Sequence, residues 1–185
     1  MPTDEADDEL SLVRDLKRGA DPAFQRVLDV YGPRLLRLAR AMLGNPTDAE
    51  DALQQTLIGL MQSIGSFRGE SSLKTWLTRI MVNQASKIRR SRSTRSAVSL
   101  DAGAAEPISA AMVGSTSAAV AAKADVQTML AELSTEHRDI LVLRELEGLS
   151  YKEIAEALGI AQGTVESRLF RAREQMRRRF EGYRP

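Results

Sequence analysis

Between Ser93 and Ala122 the chain loses the means to build a core. Of these 30 residues, 21 are Ala, Ser, Thr, Gly or Pro, three are charged and none is aromatic. Such a segment buries too little apolar surface to offset its ordering entropy, which predicts a flexible linker over residues 93–122. Folding is then left to the segments on either side, each the size of a small domain. The expected layout is an acidic tail and first short helix (1–20), a helical domain (21–92), the linker (93–122) and a second helical domain (123–185).

Both flanking segments read as helix. Leu, Ala and Arg are abundant and aromatics make up only 4%, a balance that favours helix over strand. In the first segment Asp21-Pro22 marks a helix start, with Asp21 at the N-cap. The set Phe24, Val27, Leu28, Tyr31, Leu35, Leu38, Ala39 and Met42 follows helical spacing, and Gly32-Pro33 is expected to kink or split it. After Gly44-Asn45-Pro46, Thr47 with Glu50 three residues on reads as a capping box. The helix it opens would bury Ala49, Ala52, Leu53, Thr56, Leu57, Leu60, Met61 and Ile64. A third helix begins near Ser72, buries Leu73, Trp76, Leu77, Ile80, Met81 and Ile88, and runs out at Arg89, Arg90 and Arg92.

In the second segment Ser134 caps a helix carrying Ile140, Leu141, Leu143 and Leu146, and Gly148 ends it in a left-handed turn. Ser150 and Glu153 form another capping box before Ile154, Ala155 and Leu158, and Gly159 terminates that short helix. A last helix opens near Gly163-Thr164 and runs to about Phe180, with Val165, Leu169, Ala172, Met176 and Phe180 inward. A short helix, a tight turn and a longer basic helix make a helix-turn-helix.

The net charge of +1 hides a segregation of charge. Met1 to Glu9 holds five carboxylates and no basic residue. Arg68 to Arg95 holds eight Lys or Arg against Glu70, and Arg168 to Arg184 holds seven Arg against Glu174 and Glu181. Two basic segments suggest two polyanion contacts, although either alone also reads as a solvated face. On the last helix Glu166, Ser167, Phe170, Arg171, Glu174, Arg177 and Arg178 lie away from the inward stripe. Phe170 among charges suits a base or partner contact, and Arg177 to Arg179 suit phosphates. On the helix from Asp48 to Gln62, the residues Asp48, Asp51 and Gln55 point outward with Glu50 and Gln54 beside them and Ile58 exposed among them. Acidity at a helix start is expected from the macrodipole. The exposed Ile58 asks for more, and a basic protein partner accounts for both. The polar loop Phe67 to Ser72 precedes a basic helix, an arrangement suited to an unstacked base beside a tracked backbone. Trp76 reads as core.

The strings DAEDALQQT (Asp48 to Thr56) and FRGESSLKTWLTRI (Phe67 to Ile80) resemble region two of the extracytoplasmic-function sigma factors. LSTEHRDILVLRELEGLSYKEIAEALGI (Leu133 to Ile160) with GTVESRLFRARE (Gly163 to Glu174) resembles their region four. The resemblance covers both domains and leaves out only the acidic tail and the linker. It implies a helical protein without enzymatic activity that binds core RNA polymerase, at the largest-subunit coiled-coil and the flap region, together with promoter DNA and in many relatives an anti-sigma factor. By that resemblance Asp48, Glu50, Asp51, Gln54, Gln55 and Ile58 dock on polymerase. The loop Phe67, Arg68, Gly69, Glu70, Ser71 and Ser72 captures a flipped base of the −10 element, and Arg79, Asn83, Lys87, Arg89 and Arg90 follow the strand. Thr164, Glu166, Ser167, Arg168, Phe170, Arg171, Arg173, Arg177 and Arg178 meet the −35 element. The sequence departs from the family's pattern at Glu166 (usually Lys or Arg), Gln55 (Glu), Ala161 (Pro) and Met61 (Trp, read as a core exchange). Glu166 implies an altered −35 preference, since a carboxylate accepts from cytosine but repels phosphate.

Other classes fit less of the chain. A helix-turn-helix repressor explains Leu133 to Phe180 but not the acidic face or the FRGESS loop. An anti-sigma-like binding module has no use for a basic recognition helix. For an enzyme, His137 is the only histidine, and no carboxylate pair, cysteine or phosphate loop accompanies it. The absence of cysteine excludes disulfides and thiolate metal sites and suits a reducing compartment. The acidic N-terminus is the opposite of a signal peptide, and no apolar run approaches the roughly 18 residues of a membrane span. A cytoplasmic protein without cofactor or metal, not inserted in a membrane, is expected.

Overall fold

The computed structural model describes residues 3–101 and 126–179. The described residues are helical and contain no strand. The first unit comprises α1 (Thr3–Lys17), α2 (Asp21–Leu43), α3 (Pro46–Ser63), a 3₁₀ turn (Ile64–Ser66) and α4 (Leu73–Asp101). The second comprises α5 (residues 126–131), α6 (Thr135–Leu141) running into a π-helical turn (Val142–Leu146), α7 (Tyr151–Leu158) and α8 (Gln162–Arg179).

Helices α2, α3 and α4 pack on one another, and α1 lies across α2 and the 3₁₀ turn. Their shared core holds Leu16, Leu35, Leu38, Met42, Leu60, Leu73, Leu77 and Met81, all almost fully buried. Each such side chain contributes about 1.5–3 kcal/mol of apolar burial. Gly59 permits the close contact of α3 with α4, since a Cβ there would lie 3.0 Å from Ile80 Cγ2. In the second unit Ile140, Leu143, Ile154, Val165 and Leu169 close the core of the helix-turn-helix.

Several local expectations change. Ala20, not Asp21, is the N-cap of α2, so Asp21 acts through the first-turn dipole. Pro33 does not split α2, which runs unbroken around it. Asn45, not Thr47, caps α3 by accepting from the Asp48 N–H at 3.0 Å, because Pro46 suits the first helical position. Met61 is 61% exposed rather than core. Helix α4 continues to Asp101, so residues 93–101 of the expected linker are helical. Nothing from Ser93 to Asp101 is Gly or Pro, and a shortage of apolar residues does not by itself stop a helix. The rest of the expected linker and Phe180 lie outside the described residues.

The π turn is the largest local departure. The Glu147 N–H reaches back to the Val142 carbonyl, and Leu149 N–H bonds the Leu143 carbonyl around Gly148 at φ +70°. The wider turn rotates Leu146 out to solvent and Glu147 inward. The Ser150–Glu153 capping box forms as expected, and Gly159 ends α7 in the left-handed region.

The two units touch. Helix α4 packs on α7, and α2 packs on α6 and the π turn.

The capping box gives a pH-dependent prediction. The Glu153 carboxyl is held below its ordinary 4.5, first by the Ser150 N–H and then by the Ser150 and Thr75 hydroxyls. A depressed folded value contributes stability above the unfolded value that is lost as pH falls through the folded one. In urea unfolding, Glu153→Ala is expected to cost about 1 kcal/mol at neutral pH, with the gap to wild type closing as pH drops below the carboxylate range.

Candidate nucleic-acid and polymerase interfaces

Three surfaces carry the residues singled out by sequence. On α3, Asp51, Gln54, Gln55 and Ile58 lie exposed along one face, and Met61 extends it by another turn. Ile58 is 38% exposed. Asp48 is not free on this face. Its carboxylate is half-buried, 2.9 Å from the Arg92 guanidinium of α4. Glu50 is exposed, 3.7 Å from Arg40.

The loop from Phe67 to Ser72 is held at both ends by α1. Lys17 Nζ donates to the Phe67 carbonyl at 2.7 Å, and the Glu9 carboxylate accepts from the Leu73 N–H at 3.0 Å. Ser72 Oγ accepts from the Thr75 N–H at 3.1 Å, so two of the orphan donors of α4 are satisfied before the helix begins. Gly69 turns at φ +74° between them. Phe67 is buried, with its ring tilted against Trp76 at 5.2 Å. Together with Ser66, Arg68, Glu70, Ser71 and Arg79 these rings line an open cavity of about 250 Å³.

Beyond the loop α4 presents two faces. Lys74, Asn83, Lys87 and Arg90 are exposed. Arg79 and Arg89 turn instead toward the second unit. Arg89 forks onto Asp139 of α6 at 2.9 and 2.5 Å, and Arg79 pairs with Glu156 of α7. The predicted strand-tracking set is therefore split between solvent and an internal interface.

On α8, Glu166, Ser167, Phe170, Arg171, Arg177 and Arg178 are exposed and Thr164 is half-buried. Phe170, at 68% exposure, sits beside Arg171, Glu174, Gln175 and Arg178 around a shallow depression. Arg168 and Arg173 are spent on their own unit, pairing with Glu136 at 3.0 Å and Glu145 at 2.6 Å. Arg177 pairs with Glu174 one turn back at 2.9 Å. The His137 ring lies 2.9 Å from Gln175 Oε1, a packing contact between α6 and α8. Among the described residues no cluster of His, Asp and Glu could hold a metal, and no helix is long and apolar enough to cross a membrane.

Sequence reasoning missed Glu9, Lys17 and Arg34 in the first unit and Asp139 and Glu147 in the second. Their partners lie far away in the chain, where no periodicity points.

The Sigma-70 region 2 family profile matches residues 27–95, and the Sigma-70, region 4 profile matches residues 123–176. The ECF RNA polymerase sigma factor SigW of Bacillus subtilis is 31% identical over 176 residues, which make up 90% of this chain and 93% of the relative. The RNA polymerase sigma-H factor of Pseudomonas aeruginosa is 34% identical over 182 residues, 94% of this chain and 93% of the relative. Among solved structures, the sigma factor RpoE of Bartonella quintana, in complex with the anti-sigma factor NepR, superposes with a TM-score of 0.69 at 29% identity, covering 87% of this chain and 98% of that one. CnrH, in complex with the cytosolic domain of CnrY, shares the fold at a TM-score of 0.69 and 24% identity, covering 95% of this chain and 99% of that one. With both of its helical units matched and relatives of this identity along nearly its whole length, the chain belongs to the extracytoplasmic-function sigma factors, which bind core RNA polymerase and direct transcription initiation at particular promoters.

Proposed function

We propose that this sigma factor divides its work among the three surfaces described above. The face of α3 bearing Asp51, Gln54, Gln55, Ile58 and Met61 docks on core polymerase. Carboxylates interleaved with exposed apolar side chains suit a basic partner that also offers apolar contact. Asp48 and Glu50, engaged by Arg92 and Arg40, contribute from the rim of that face. The cavity walled by Phe67, Trp76 and Arg79 receives one unstacked base of the −10 element, with Arg68, Gly69, Glu70, Ser71 and Ser72 at its mouth. Asn83, Lys87, Arg89 and Arg90 follow the strand leaving it.

Helix α8 enters the major groove at the −35 element with Thr164, Glu166, Ser167, Phe170 and Arg171 toward the bases and Arg177 and Arg178 toward phosphates. Arg168 and Arg173 act at one remove by tying α8 to α6 and the π turn. The observation that carries this reading is the exposure of Phe170 and Ile58, two large apolar side chains on charged faces that no described residue covers. A repressor reading leaves the α3 face and the Phe67 loop without a role. The protein supplies no chemistry of its own, and polymerase forms the bonds. It works in the cytoplasm beside polymerase. An anti-sigma factor is a further partner, by analogy with the similar RpoE, whose solved structure carries the anti-sigma factor NepR.

Two measurements test these surfaces. Wild type is expected to co-elute with bacterial core polymerase, and an Asp51→Lys/Ile58→Asp variant of unchanged helicity is expected not to. Co-elution of the variant would move docking off α3. In selection from random duplexes by the holoenzyme, Glu166→Arg is expected to change the −35 bases recovered, and Phe170→Ala to weaken binding of the wild-type site about ten-fold. An unchanged −35 motif and unchanged binding would take Glu166 and Phe170 out of the DNA interface.

A further inference from the structure

The N-terminal helix α1 has no part in the three surfaces above, yet it is bonded to both ends of the Phe67 loop. Its inward face carries Glu9, Leu12, Val13, Leu16 and Lys17, at the i, i+3, i+4, i+7 and i+8 spacing of one side of a helix. Leu12, Val13 and Leu16 are buried and join the core of the first unit. They seat the helix and leave a carboxylate and an ammonium at the two ends of the apolar stripe. Glu9 and Lys17 are thus held about 12 Å apart along the axis by a rigid spacer. Asp8 moors the same helix to α2 through Arg26 at 3.0 Å.

Each of the two groups satisfies a backbone atom that the loop leaves open. Lys17 Nζ donates to the Phe67 carbonyl at 2.7 Å, just past the 3₁₀ turn. The half-buried Glu9 accepts at 3.0 Å from the N–H of Leu73, the first residue of α4, where a carboxylate also meets the positive end of the helix dipole. Among the described residues, the hydrogen bonds that tie this loop to other elements lie at its two ends. The backbone position of Phe67 in turn sets its ring against Trp76, the wall of the base cavity.

We propose that Glu9 and Lys17 are positioning residues for base capture. Helix α1 fixes the separation of the loop ends, and with it the gap between Phe67, Trp76 and Arg79 that an unstacked base must fit. The inference rests on the −10 reading above. A cavity whose backbone ends are already fixed binds without first ordering them, and loss of either hold returns that ordering cost to the binding step. The effect falls on the captured base alone. A phosphate contact by Lys17 would instead weaken all sequences alike and lower the salt dependence.

Trp76 is the one tryptophan of the chain, so its emission reports the cavity in the free protein. Lys17→Met and Glu9→Ala are expected to change acrylamide quenching of Trp76 at unchanged helicity. Lys17→Arg and Glu9→Gln, which keep a donor and an acceptor, are expected to restore the wild-type value. Holoenzymes are then compared on a promoter that the wild type selects, with an abasic tetrahydrofuran residue at each non-template −10 position in turn. The wild type is expected to prefer the intact promoter over the one lacking the captured base. That preference is expected to shrink about ten-fold in Lys17→Met and in Glu9→Ala, at unchanged salt dependence, and to return in the conservative variants. Equal losses on intact and abasic promoters would overturn the proposal and keep the −10 reading, as would Trp76 quenching unmoved by all four substitutions. Where a truncation also costs helicity, the rescue decides, and a preference that does not follow the restored bond overturns the proposal. A wild type indifferent to an abasic residue at every −10 position would overturn the −10 reading instead, and the quenching, which uses no DNA, tells the two failures apart.

Discussion

A guanidinium of α4 and a carboxylate of α6 meet where each has given up most of its water. Arg89 and Asp139 form a two-pronged pair, and burial still pushes the Asp139 carboxyl above its ordinary value despite that partner. Burial likewise pulls Arg34 down, beside Glu147. The desolvation cost of bringing the units together is therefore not erased by the pairing. The relation of the two units rests on these pairs together with the packing of α4 on α7.

Helix α4 links the parts of this architecture. One side supplies Leu73, Leu77 and Met81 to the core of the first unit. Its N-terminus is capped by Ser72 and Glu9, which sets the direction in which the Phe67 loop leaves it. A second side meets α7, and a third is left exposed with Lys87 and Arg90. The acidic helix α1 acts as a strap, its Glu9 and Lys17 holding the two ends of the loop while Asp8 pairs with Arg26 on α2 at 3.0 Å.

Much of this was legible along the chain because it depends on neighbours in sequence. The Ser150–Glu153 box, the Ser134 cap and the left-handed ends at Gly148 and Gly159 each involve groups within a few residues of each other. The exposure of Ile58 and Phe170 followed from helical spacing. The misses have local causes as well. Asn45 displaced Thr47 as a cap because Pro46 already fixes the first turn. Met61 reads as core from its spacing and from the family's Trp at that position, but it lies 61% exposed. Leu146 and Glu147 changed places because a π turn adds a residue to the helical period, and nothing in the local sequence announces it.

The amino-acid order by itself determined the helices, the two-unit layout, the candidate recognition loop and the family, since all of these are set by spacing, capping and short motifs. Tertiary structure alone decided which charges are available. Asp48, Arg79, Arg89, Arg168 and Arg173 read as free side chains in sequence and are each held by a partner on another element. Salt bridges across such separations obey distance and desolvation, not periodicity, so only the folded chain can say which cations and carboxylates remain to meet a partner.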